Sequence, residues 1–101
     1  NRRMAKKITW TQKAQDERKE ILEYWKNRNK STIFSIKLNK LIIETLHKIT
    51  LQPNTGKNTD IKNVKVKIIR DYLLFYEVTE YEIIILCIWD GRRYPGKLKV
   101  I

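Results

Sequence analysis

Residues 83–88, Ile-Ile-Ile-Leu-Cys-Ile, form a run of six apolar side chains, four of them isoleucine. The run is too short for a membrane span and too uniformly apolar for a half-exposed strand, so it reads as a strand buried on both faces. Asp90-Gly91 ends it, and Arg92-Arg93 follow at once. A rigid core element therefore delivers two cations to the edge of the fold, and a cation pair held in that way is a candidate phosphate site.

The rest of the chain supplies what covers this strand. Lys7-Ile8-Thr9-Trp10 reads as a short first strand. Thr9 or Thr11 then caps a helix to about Asn27, in which Ala14, Ile21, Leu22 and Trp25 share one stripe. After a turn at Asn27–Lys30, Ser31 caps a second helix with a wide apolar face (Ile33, Phe34, Leu38, Leu41, Ile42, Leu46, Ile49) and a narrower flank (Ile36, Ile43). Pro53 and Gly56 close it, and a polar loop follows to Asp60.

Val64, Val66 and Ile68 alternate with Lys65 and Lys67, the pattern of a strand with one face in solvent. Tyr72–Val78 returns as a strand and Thr79-Glu80-Tyr81 turns it into the isoleucine-rich run. The order strand, helix, helix, strand, strand, strand predicts an α+β fold, with an antiparallel two-helix hairpin packed on a largely antiparallel four-stranded sheet. Residues 1–101 read as a single domain; residues 1–6 lie outside the fold argument because Asn1-Arg2-Arg3 precede Met4.

Charge narrows the partners. Lys and Arg number 22 against 11 Asp and Glu, a net +11, which points to a polyanion or an acidic protein. From Asp71 to Asp90 there is no Lys or Arg, so the bases bracket the apolar strands and converge on one end or face of the sheet. The single cysteine, Cys87, lies inside the buried strand; with no disulfide framework, no Cys/His metal spacing and no transmembrane or signal segment, a cytoplasmic protein without a metal or other cofactor is expected.

If Val64, Val66 and Ile68 face the helices, Lys65 and Lys67 point away together, about 7 Å apart by the strand repeat. Arg92 and Arg93 then reach the same surface, with Arg70 in the adjoining turn and Lys62 just before the strand, and Trp89 and Tyr94 are placed to stack a base. The alternatives are a solvated, edge-protecting lysine face and surface arginines. His47 and Cys87 read as packing residues. No Gly-rich phosphate loop, HExxH, CxxC or nucleophile elbow is present. RNA carries its own nucleophile in the 2′-hydroxyl, so a basic sheet face suits RNA cleavage better than metal or covalent hydrolysis.

Trp10-Thr11-Gln12-Lys13-Ala14, the hairpin ending in Pro53 and Gly56, Asp71–Val78 and Ile85–Arg93 together resemble the RelE/ParE superfamily of bacterial toxins from type II toxin–antitoxin modules. The resemblance covers about residues 7–98. It implies a growth-inhibiting toxin with a small acidic antitoxin as partner. For RelE-like members it implies ribosome-dependent, metal-independent mRNA cleavage, with Lys65, Lys67 and Arg93 in the catalytic positions; Arg70, Arg92, Trp89, Tyr94 and Lys62, read from the basic face itself, are then expected on the nucleic acid. For ParE-like members it implies poisoning of DNA gyrase without cleavage by the toxin. A third reading is a non-toxic regulatory member that acts by binding the antitoxin. Leu73 stands where the ribonuclease pattern has an arginine, and Lys97-Leu98-Lys99 replace its C-terminal tyrosine or histidine. The mRNA endonuclease is the leading expectation.

Overall fold

A computed structural model describes residues 5–93 and 95–101. Its elements are β1 (Lys7–Trp10), α1 (Gln12–Asn29), α2 (Ile33–Leu51), β2 (Lys57–Asn58), β3 (Val64–Ile69), β4 (Tyr72–Val78) and β5 (Glu82–Asp90), with short 3-10 turns at Pro53–Thr55 and Pro95–Lys97. The fold is α+β as the sequence order predicts. The sheet has five strands rather than four, in the order β1-β5-β4-β3-β2. The added strand, β2, is two residues long, too short to show a period in sequence. β1 joins the sheet parallel to β5, from Lys7 opposite Glu82 to Trp10 opposite Ile85, and the other pairings are antiparallel.

Local chemistry fixes the helix ends. Thr11 caps α1: its Oγ1 accepts the Ala14 N–H at 3.1 Å and donates to the Ile85 carbonyl at 3.0 Å, so the same side chain starts the helix and ties it to β5. Lys30 ends α1 in the left-handed region at φ 51°, with its N–H on the Lys26 carbonyl. Ser31, expected as the cap of α2, stands one residue earlier; Thr32 holds the cap position without a side-chain bond, and Ser31 Oγ accepts the Ile33 N–H at 3.2 Å. Ser35 Oγ donates to the Leu22 carbonyl at 2.6 Å and locks the two helices together.

The hairpin covers one sheet face. Ala14, Leu38, Ile42, Leu46 and Ile49 pack there against Ile69, Tyr72, Leu74, Tyr76, Ile83, Ile85 and Ile88, with Ile21, Leu22 and Trp25 at the margin. Each leucine or isoleucine among these contributes about 1.5–3 kcal/mol on burial. Ile33 belongs to the exposed surface instead, at 64% exposure, as do Ile36 and Ile43.

The opposite face holds a second cluster, Val64, Phe75, Leu86, Cys87 and Trp89, with Val66, Leu73 and Ile84 beside it and Leu98 and Val100 of the C-terminal segment packed over it. This reverses the expected facing of β3. Val64 and Val66 point away from the helices and are covered by the C-terminal segment, so Lys65 and Lys67 lie on the helix side, in line with Ile69. Ile68 is left 60% exposed.

A β-bulge sets the facing of the last strand. Phe75 pairs with Cys87 and Tyr76 with Ile85, so Leu86 has no partner on β4. The extra residue shifts the alternation by one. Ile83 and Ile85 face the hairpin before it, Ile88 faces the hairpin after it, and Trp89 is thereby turned to the far face. β1 has ended by this point, and Glu17 of α1 takes over its edge: Oε1 accepts the Ile88 N–H at 3.0 Å while Oε2 pairs with Lys13 at 2.8 Å.

Candidate polyanion-binding site

The end of α1, the β3–β4 turn and the end of β5 meet at one end of the molecule. Trp25 is the hub. Its Nε1 donates to the Tyr72 hydroxyl at 2.6 Å, joining α1 to the start of β4, and its ring packs on Phe34 of α2 with centroids 4.9 Å apart. Burial pushes the Tyr72 phenol above its ordinary range, so it keeps its proton while accepting this bond.

Arginines surround these rings. Arg28 and Arg92 lie over Trp25 at 5.9 and 5.8 Å, and Arg70 lies over Phe34 at 5.9 Å. Arg93 lies over Trp89 at 4.9 Å. Contacts of this length are cation–π interactions, which hold each guanidinium against a ring while leaving its outer side to solvent. Tyr24, Tyr72, Asp90, Arg92 and Arg93 line a hollow of about 300 Å³ beside α1.

Arg92 differs from the others. Its Nε and Nη2 donate to the two oxygens of Asp90 at 3.0 and 2.9 Å, and Nη1 lies 3.9 Å from Asp71. The hydrogen bond from Arg92 holds the Asp90 carboxyl below its ordinary 3.8. Gly91 makes the junction possible, since its N–H donates to the Asp71 carbonyl at 2.7 Å and a Cβ there would sit 2.9 Å from that same oxygen.

The expected residues therefore separate into groups. Arg70, Arg92, Arg93 and Trp89 gather at this end. Lys65 and Lys67 lie on the helix side of β3, where Lys65 Nζ donates to Asn58 at 2.6 Å, whereas Arg93 sits over a ring of the opposite face. The single hollow expected from Lys65, Lys67, Arg92 and Arg93 does not form. Lys62 is in the loop before β3, a strand's length from Arg70. Tyr94 lies outside the described residues. Tyr72 and Tyr76 are buried. His47 is exposed, and Cys87 is fully buried with its thiol pushed up to about 11, chiefly by burial.

Arg28 was not among the expected residues; the signal for it is the Trp25-x-x-Arg28 spacing, which puts ring and guanidinium on one helical face. Among the described residues no group of three His, Cys, Asp or Glu side chains is placed to hold a metal ion, and no helix is long and apolar enough to cross a membrane.

The fold is similar to that of a solved structure titled "Chromosomal ParDE TA system from P. aeruginosa": the TM-score is 0.74 at 19% identity, over 85% of this chain and 96% of that one. That likeness is one of fold. The family described as "ParE toxin of type II toxin-antitoxin system, parDE" matches residues 8–95, and the chain belongs to it. No curated protein matches the chain in sequence.

Proposed function

We propose that this protein inhibits growth as a ParE-like poison of DNA gyrase and does not itself cut nucleic acid. The observation that carries this reading is the dispersal of the cations: Lys65 and Lys67 stand on β3 opposite Tyr76 and Leu74, with Lys65 bonded to Asn58, whereas Arg93 lies two strands away beyond the end of β5, over Trp89 and in the hollow beside α1. A phosphorane is stabilised by donors that converge within hydrogen-bonding distance of one phosphate, and these groups do not converge. Leu73, where the ribonuclease pattern has an arginine, packs in the far-face apolar cluster instead.

The net charge of +11 supports an acidic antitoxin as partner. So does the groove of about 830 Å³ between α1 and α2, where Arg18, Lys19 and Lys26 outnumber Asp16 and Glu23 beside the exposed Ile36. An amphipathic acidic segment matches both the charge and the apolar floor.

One induction experiment tests the activity. Growth arrest with a DNA-damage response and gyrase-dependent double-strand breaks, and with intact mRNA ends, is expected. Codon-internal mRNA ends that disappear in a Lys65→Ala/Lys67→Ala/Arg93→Ala variant would overturn the reading in favour of the ribonuclease. Absence of toxicity would overturn it in favour of a regulatory member.

A further inference from the structure

We propose that the arginine-bearing end binds the sugar–phosphate backbone of duplex DNA directly, through Arg28, Arg70 and Arg93. This goes beyond gyrase poisoning and does not depend on it. Arg28 and Arg70 each lie within 6 Å of one of two rings, Trp25 and Phe34, whose centroids are only 4.9 Å apart. Arg93 is carried on Trp89, next to the β5 end that Arg92 fixes to the β3–β4 turn. Three chain segments remote in sequence thus bring their guanidiniums to one end of the molecule.

The four arginines have two different roles. Arg92 is committed to Asp90 and Asp71 and works as a brace. Among the described residues, Arg28, Arg70 and Arg93 have no carboxylate within ion-pair distance, so their charge is available to a ligand. Lys26 and Lys30 add charge beside Arg28; Asp90, which Arg92 binds, Asp71, and Glu20 and Glu23 of α1 are the acids nearest the group in sequence or in the hollow.

Arg70 carries a second indication. It stands at φ 54° in the two-residue turn between Ile69 and Tyr72, a left-handed conformation in which glycine or asparagine fits with less strain. Turn geometry alone does not select arginine there, which leaves room for a use of the guanidinium.

The rings also say what kind of nucleic acid fits. Proteins that hold single strands offer open aromatic faces to unpaired bases. Here the faces of Trp25, Phe34 and Trp89 carry guanidiniums, and in this cluster Tyr24 is the ring left about half exposed, at 52%. A surface of ring-supported guanidiniums matches phosphates bidentately and reads no base, which suits a duplex backbone.

The test is fluorescence anisotropy with the full chain and a short labelled DNA duplex, without gyrase, over a range of salt. Three phosphate contacts contribute about 2.7 to the slope of log K against log salt, or roughly a 40-fold part of the affinity loss between about 50 and 200 mM. An Arg28→Gln/Arg70→Gly/Arg93→Gln variant is expected to lose that part, while Lys37→Gln/Lys40→Gln/Lys48→Gln on α2, with the same charge removed, changes the slope by less than about 1. Equal effects of the two variants would overturn the proposal, as would tighter binding to single-stranded RNA of the same length or no measurable duplex binding. If the triple variant does not fold, Arg70→Gly alone decides: with its melting temperature kept, it should still lower the slope by about 0.9, and an unchanged slope would refute the site. Gyrase poisoning is scored separately in cells, so either reading can fail alone.

Discussion

Replacing Tyr76 with phenylalanine tests how the connection after α2 is held to the sheet. Tyr76 is fully buried, yet its hydroxyl reaches the Pro53–Gly56 segment, accepting the Gly56 N–H at 3.1 Å and donating to the Pro53 carbonyl at 2.9 Å. Burial raises the phenol above its ordinary value, so the proton needed for the second bond is retained. Phenylalanine keeps the ring and removes both bonds. Each net hydrogen bond is worth about 1 kcal/mol, and a partner left dry adds about 1–3 more. Pro53 and Gly56 are half-buried, so water recovers part of that, and about 2 kcal/mol remains. With a urea dependence near about 2 kcal/mol/M, the unfolding midpoint should fall by about 1 M.

A second substitution sharpens the test. A Cβ at Gly56 would stand 2.5 Å from Tyr76 Oη and 2.9 Å from the Val66 carbonyl oxygen. The buried ring cannot withdraw, so Gly56→Ala should also cost about 2 kcal/mol. In the Tyr76→Phe background one of the two clashes is gone, and the pair should fall short of additivity by about 1 kcal/mol. A midpoint loss below about 0.3 M for Tyr76→Phe, or strict additivity of the two changes, would refute this account.

Two further outcomes follow from the titrating groups. Cys87 is fully buried in the folded chain, and its thiol is pushed up to about 11 from 9.0. It should therefore react with Ellman's reagent at pH 8 at least about 100-fold more slowly than in urea-unfolded chain, and comparable rates would contradict its burial. Asp90 is held below its ordinary 3.8 by Arg92, so its contribution to stability is present above that value and is lost as pH falls through the folded value. Asp90→Asn should lower the melting temperature at pH 7, with the gap from the parent closing below about pH 4; a gap independent of pH would show that the ion pair is not its source.

Much of the architecture was legible because periodicity reports burial. Ala14, Ile21, Leu22 and Trp25 on α1, and Leu38, Ile42, Leu46 and Ile49 on α2, pack as their spacing predicts. What alternation cannot report is which layer covers a face. Val64 and Val66 are an apolar set in either arrangement, and the structure covers them with Leu98 and Val100 rather than the helices, which moves Lys65 and Lys67 to the other side. The position of Trp89 was hidden for a related reason: it depends on one unpaired residue, Leu86, within a run where every side chain is apolar and no change of phase is visible. The arginine-rich end was half legible. Arg92 and Arg93 follow directly from the strand end, whereas Arg28 joins them only through tertiary contact at Trp25.

The parallel pairing of β1 with β5 has a consequence for how the protein is made. Lys7 must wait for Glu82, which leaves the ribosome 75 residues later, roughly 4–15 s at ordinary rates of synthesis. During that interval α1 and α2 have been synthesised, but β5, the strand on which α1 packs, has not, so the apolar face of α1 lacks its principal cover. Docking of α1 on the sheet cannot precede the strand that carries Arg92 and Arg93 to their place. The basic end therefore assembles late, and a partner that recognises the hairpin can meet the chain before that end exists.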